Sequence, residues 1–181
     1  SDAGTRITNT TEAETVVSGV SHINDIALLT LEGSGMIGVP GYSQKLLTVL
    51  AQHHINVVMI TQASSEHSIC LGIDAAAADF AQETIDEAFA LDIETKKINP
   101  IRVEKALSII ALVGENMKNH QGISGRMFRA LGNNNVNVKA IAQGASEKNI
   151  TAVIDSKDIK KALNTLHEAF FEAQIKKLHL F

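Results

Sequence analysis

Two neutral amides, six residues apart, occur twice in the chain. Asn56-Val57-x-x-Ile60-x-Gln62-x-x-Ser65-Glu66-x-x-Ile69 returns as Asn137-Val138-x-x-Ile141-x-Gln143-x-x-Ser146-Glu147-x-x-Ile150. Amides donate and accept hydrogen bonds without a charge to neutralise. An amide at each end of a strand with an apolar residue between suits a small zwitterion with a short side chain. Side chains alternate along a strand, so Asn56, Val58, Ile60 and Gln62 are expected on one face, and Asn137, Lys139, Ile141 and Gln143 likewise. An Asn opening one strand or a Gln closing it is ordinarily a turn or surface residue. Retention of both amides in both copies argues for two copies of a site. Asn56, Ile60, Gln62, Asn137, Ile141 and Gln143 are therefore candidate binding residues.

A Gly-rich loop, Glu32–Val39, precedes a helix that starts near Pro40. Free N–H groups there would hold a carboxylate at the helix N-terminus. Gly35, Met36 and Gly41 join the candidates, with Met117 and Gly122 from the second copy. Gly33-Ser-Gly35-Met-Ile-Gly38 satisfies the dinucleotide pattern GxGxxG, but the second copy reads Gly114-Glu-Asn-Met-Lys-Asn119. Asn56 stands where a ribose-binding acid would be needed, and a hairpin follows instead of a parallel βαβ unit. The seven histidines are scattered without metal-site spacing. Cys70 aligns with Thr151, which favours a packed thiol over a nucleophile. Glu66 and Glu147 read as turn residues, and Lys96-Lys97 and Lys176-Lys177 as solvated edge charges. No catalytic set and no metal site emerge.

The elements that position these residues are repeated too. Under a shift of 81 residues, Ile26–Phe89 lies over Leu107–Phe170 without a gap, with about 20 of the paired positions identical. Each copy reads as a buried strand (Ile26–Leu31; Leu107–Val113), a helix, a hairpin (Ile55–Gln62 with Glu66–Ile73), a second helix and a last strand. The last strands are expected at Ile93–Ile98 and Ile175–Phe181. Asp74 and Asp155 sit where N-caps belong. Gly132 with Asn133–Asn135 is expected to stop the helix before the second hairpin. The fold class is α+β: two ferredoxin-like βαββαβ units, each an antiparallel sheet with both helices on one face and the other face free for a partner. Residues 1–14 read as a linker, and Glu14–His22 as an extra strand without a counterpart in the repeat.

Composition limits the functions. The chain has 181 residues, net charge −4 and 45% hydrophobic residues, the profile of a globular protein. A negative balance argues against nucleic acid. The strand that would bind RNA on this topology, Glu66–Ile73, has no aromatic residue. One cysteine excludes an internal disulfide and fits a reducing compartment, the cytoplasm. No apolar run reaches membrane-spanning length.

At the strands Val58-Met-Ile-Thr-Gln-Ala-Ser-Ser-Glu-His-Ser-Ile69 and Ile141-Ala-Gln-Gly-Ala-Ser-Glu-Lys-Asn-Ile150 the chain resembles the regulatory region of aspartokinases, a tandem pair of ACT domains. The resemblance is closest to the threonine-sensitive bifunctional aspartokinase–homoserine dehydrogenases and covers about Val17 to Phe181. It implies a non-catalytic region that binds an end-product amino acid, most specifically L-threonine, and inhibits an attached kinase. It implicates Gln62 and Gln143 in binding, with Asn56 and Asn137 lining the same crevice. It also implies nesting: a first unit at residues 24–99 and a second made from 15–23 plus 100–181. The expected partners are the amino acid, kinase and dehydrogenase domains of a parent chain, and a second copy through the ACT units. Nucleic acid and membrane are excluded as partners. No cofactor is expected in this fragment; ATP with Mg and NAD(P) belong to the implied parent. The alternative is a free-standing tandem ACT sensor.

Overall fold

The structure, a computed structural model, describes residues 16–62 and 67–172. The first copy contains β1 (Gly19–Glu32), α1 (Tyr42–Gln52), β2 (Val57–Thr61), β3 (Ser68–Asp74) and α2 (Ala78–Ala88), followed by the short α3 (Ala90–Glu94). The second contains β4 (Arg102–Val113), α4 (Ile123–Asn133), β5 (Val138–Ala142), β6 (Asn149–Asp155) and α5 (Ile159–His167). The six strands form one antiparallel sheet in the order β2-β3-β1-β4-β6-β5.

Strand alternation builds the cores. Ala27, Leu29 and Leu31 of β1 and Ile69, Leu71 and Ile73 of β3 face Leu46, Val49 and Leu50 of α1 and Ala81 and Ile85 of α2. The second copy repeats this with Ile110, Leu112, Ile150, Ala152 and Ile154 under Met127, Leu131, Ala162 and Leu166. The apolar stripe Ala162, Leu166, Phe170 is buried as its spacing predicts.

The opposite sheet face is not free, contrary to expectation. Ile26, Leu28, Met59, Leu107, Ile109 and Val153 form a third core drawn from both copies. The sheet curls around it until the outermost strands β2 and β5 approach each other. The partner that covers each copy's open face is the other copy.

The long strands make this possible by exchange. Gly19–Ile23 pairs with Ile109–Val113 of the second copy, whereas Ile26–Glu32 pairs with β3 of the first. Reciprocally, Arg102–Glu104 pairs with Leu28–Thr30, and Leu107–Val113 with β6. β1 and β4 stay paired along their length, and each passes from one copy's sheet to the other's at a left-handed residue, Asp25 (φ 55°) and Ala106 (φ 58°). These two positions are related by the 81-residue shift, as are Gly38 and Asn119, Gly41 and Gly122, and His54 and Asn135, all at positive φ. The repeat is thus written into the backbone where residue identity is lost.

Several expected elements are corrected. Ile93–Ile98 is not a strand: α3 occupies its start and Lys96 is left-handed (φ 57°). Arg102–Glu104 supplies the missing sheet partner instead. The segment before Ile26 does have a counterpart, because Val17 is buried in the second core as Ile98 is in the first. The expected stop after α4 falls within Gly132–Asn135, but its left-handed residue is Asn135, and Gly132 still lies inside the helix. Asp74 does cap, accepting from the Ala76 N–H at 2.8 Å. Asp155 makes no such cap; its carboxylate lies 3.6 Å from Lys139 Nζ. Thr15 and Ile175–Phe181 lie outside the described residues.

Candidate functional site

The Gly-rich loop and the start of α1 enclose a cavity of about 470 Å³ with the end of β2. Gly41 sits at the N-cap with φ 104°, a conformation open to glycine at little cost. It provides no side-chain cap for the first N–H groups of α1, whose residues Tyr42 and Ser43 line the cavity. A helix N-terminus with unsatisfied donors favours an anion. Gln62, Met36, Tyr42, Ser43 and His67 complete the wall. Among the described residues this lining carries no Asp, Glu, Lys or Arg.

The helix start is braced from outside. Tyr42 stacks on Phe89 with ring centroids 6.1 Å apart, and its hydroxyl donates to Asp92 Oδ1 at 3.4 Å. Lys45 Nζ lies 3.2 Å from the same carboxylate and 4.2 Å from the centre of the Phe89 ring. Burial, and then the Asp92 charge, push the Tyr42 phenol above its ordinary pKa. Tyr42 therefore stays a neutral donor.

The structure brings together Met36, Gly41 and Gln62. It does not bring Asn56 to them. Asn56 opens a strand that Gln62 closes, about 20 Å away at 3.3 Å per residue, and lines a separate concavity with His53, Asp74 and Phe80. The single face expected for Asn56, Val58, Ile60 and Gln62 is broken by a bulge. Val57 pairs with Ile73 but Met59 with Gly72, so Val58 is an extra residue and Ile60 changes face relative to it. Ile60 is exposed and lines the seam between β2 and β5. The second hairpin has the same bulge at Lys139. Gly35 is closed off, since its N–H donates to the Lys97 carbonyl at 2.8 Å. In the second copy Met117 is buried, Gly122 repeats the left-handed N-cap (φ 85°), and Asn137, Ile141 and Gln143 are exposed. Sequence reasoning missed Tyr42, Ser43 and His67. Ser43 left a signal, because Ser124 repeats it.

A Cβ at Gly33 would lie 2.4 Å from Ile98 Cα, and one at Gly35 2.5 Å from Lys97 Cβ, so these glycines admit a neighbouring chain segment and not a phosphate. Among the described residues no three His, Cys, Asp or Glu side chains gather to hold a metal. No helix among them is long and apolar enough to cross a membrane.

The sequence and fold have relatives. The ACT domain family profile matches residues 29–89 and 110–170. The chain is 39% identical over 157 residues to the chloroplastic bifunctional aspartokinase/homoserine dehydrogenase 2 of Arabidopsis thaliana, covering 87% of this chain and 17% of that protein. It is 36% identical over 155 residues to the bifunctional enzyme of Haemophilus influenzae, covering 86% and 19%. The chain thus spans about a fifth of the curated relatives it matches. Among solved structures it is similar to the regulatory subunit of aspartate kinase from Thermus flavus (TM-score 0.70, 26% identity, 85% of this chain and 98% of that one). It also resembles E. coli aspartokinase III in complex with lysine and aspartate (TM-score 0.71, 26% identity, 90% and 35%). Two repeats of one βαββα pattern, each matched by the same profile and completed by an exchanged strand, establish that this chain belongs to the ACT domain family.

Proposed function

We propose that the chain is the effector-binding, non-catalytic regulatory region of an aspartate kinase, and that its effector is L-threonine. The observation that carries the choice of ligand is the cavity at the start of α1. Unpaired helix N–H groups suit an α-carboxylate, and the Gln62 amide and Ser43 hydroxyl suit a short polar side chain. The described lining offers no carboxylate to a lysine ammonium. The bifunctional relatives support kinase and homoserine dehydrogenase domains on a parent chain, where ATP, Mg and NAD(P) would serve those domains and not this region. The single cysteine supports a reducing, cytoplasmic setting. Regulation then follows from differential affinity: threonine shifts the parent toward the inhibited state only as far as it binds that state more tightly. Exposed Ile37, Val39 and Leu47 on the first unit support a symmetric dimer through that unit.

Calorimetry with threonine and with lysine tests the reading. Threonine should bind, and Gln62→Ala should weaken it by about 1.5–3 kcal/mol, the cost of a lost hydrogen bond to a charged ligand group. Lysine is the second reading, favoured by the lysine complex of the related E. coli enzyme. Binding of lysine but not threonine would replace the first reading by the second.

A further inference from the structure

The 81-residue repeat relates two crevices that flank the shared inner core. One, of about 640 Å³, is lined by Glu32, Arg102, Glu104 and Lys139. The corresponding positions in the other, of about 490 Å³, are Val113, Ser21, Ile23 and Val58. The same place in the fold therefore carries four charged side chains in one copy and, among the described residues, no Asp, Glu, Lys or Arg in the other. In the uncharged crevice Ile23 and Val58 stand where Glu104 and Lys139 form an ion pair at 3.0 Å.

The fold does not need these charges, because the other crevice does without them. Stability does not explain them either. Replacing a half-buried ion pair by apolar residues of similar size is commonly neutral or stabilising. The charges are also ordered. Lys139 Nζ is fixed between Glu104 and Asp155, at 3.0 and 3.6 Å. Arg102 reaches Glu104 only at 3.6 Å and keeps 60% of its side chain exposed. Its guanidinium retains donors for a carboxylate, which it binds in a forked geometry. The Glu32 carboxylate, half-buried and touched by the Asn99 amide at 3.5 Å, is available to an ammonium.

We propose that this crevice is a second ligand site, taking a free α-amino acid with its carboxylate on Arg102 and its ammonium on Glu32. Two cations and two anions line it, so a simple anion would meet Glu32 and Glu104, and an apolar ligand would strand all four charges. A zwitterion satisfies both signs. His67 lines both this crevice and the Gln62 cavity, so the two sites share one hairpin. The proposal does not depend on threonine occupying the Gln62 cavity.

The test is calorimetry of the parent chain and of Gln62→Ala, Arg102→Ala and Glu32→Gln. The probes are glycine, L-threonine, L-aspartate and L-lysine. At least one probe should bind Gln62→Ala, and that binding should weaken tenfold or more when Arg102→Ala or Glu32→Gln is added to it. The exposure of Arg102 makes a folded variant expected, checked by an unchanged melting curve. If no probe binds Gln62→Ala, or if adding Arg102→Ala to Gln62→Ala leaves that binding unchanged, the crevice is not a ligand site. Loss of all threonine binding in the parent would instead overturn the Gln62 reading, and would leave a probe bound through Arg102 as support for this one.

Discussion

Met59 offers the sharpest test of how the two copies are joined. It lies 6% exposed in the inner core, against β4 and β6 residues of the other copy. Its counterpart under the repeat is Ala140, so only Met59 fills that space. Met59→Ala removes three heavy atoms from a site where the backbone is held by pairing to Gly72. Buried Met→Ala changes cost about 2–5 kcal/mol, rising with the hole left behind. Met59 also borders the crevice at the β2–β5 seam, so the hole opens toward water. That favours the low end, about 2–3 kcal/mol. For a chain of this size the melting temperature should fall by roughly 5–10 °C. Urea unfolding by circular dichroism should show a lower midpoint at unchanged slope, as for one cooperative unit. Ile60→Ala, at an exposed neighbour, should change stability by less than about 0.5 kcal/mol. Equal effects of the two substitutions, or two separate transitions in the parent, would refute a core shared between the copies.

Gly41→Ala should destabilise by about 1–2 kcal/mol, since alanine is strained at φ 104°. Gly38→Asn should be nearly neutral, because Asn119 holds the same left-handed conformation in the second copy (φ 59°); paired melts of the two variants check this. The Glu104 hydrogen bond, outweighing burial, raises the Lys139 pKa above its ordinary value. A raised folded pKa gives stability that is complete below the unfolded pKa near 10.4 and is lost as pH rises through the folded value. Urea unfolding between pH 9 and 12 should therefore show an alkaline loss that Lys139→Met reduces; an identical pH profile would sink the assignment. Sedimentation at micromolar concentration should give a dimer, and a monomer with and without threonine would rule out pairing through the first unit.

The sequence by itself determined the repeat, the order of helices and hairpins, and the cores under the helices. These rest on local periodicity and on residues such as Ile69, Leu71 and Ile73, whose spacing alone fixes a buried strand face. It also marked Gln62, Met36 and Gly41, which the fold does gather into one cavity. What it misplaced depends on distant partners. The face of Ile60 was unreadable because one extra residue, Val58, breaks the period of two, and a bulge is fixed by the strand opposite. Ile93–Ile98 reads as a strand, yet α3 takes its start and the sheet position is filled by Arg102–Glu104, a few residues further on, where the chain reaches Leu28–Thr30. Tertiary structure alone decided that the strands pass from one copy's sheet to the other's at Asp25 and Ala106 and that the two open faces close on each other. Strand pairing and face-to-face burial are contests between distant segments for the same hydrogen bonds and the same apolar surface, and no local pattern records who wins.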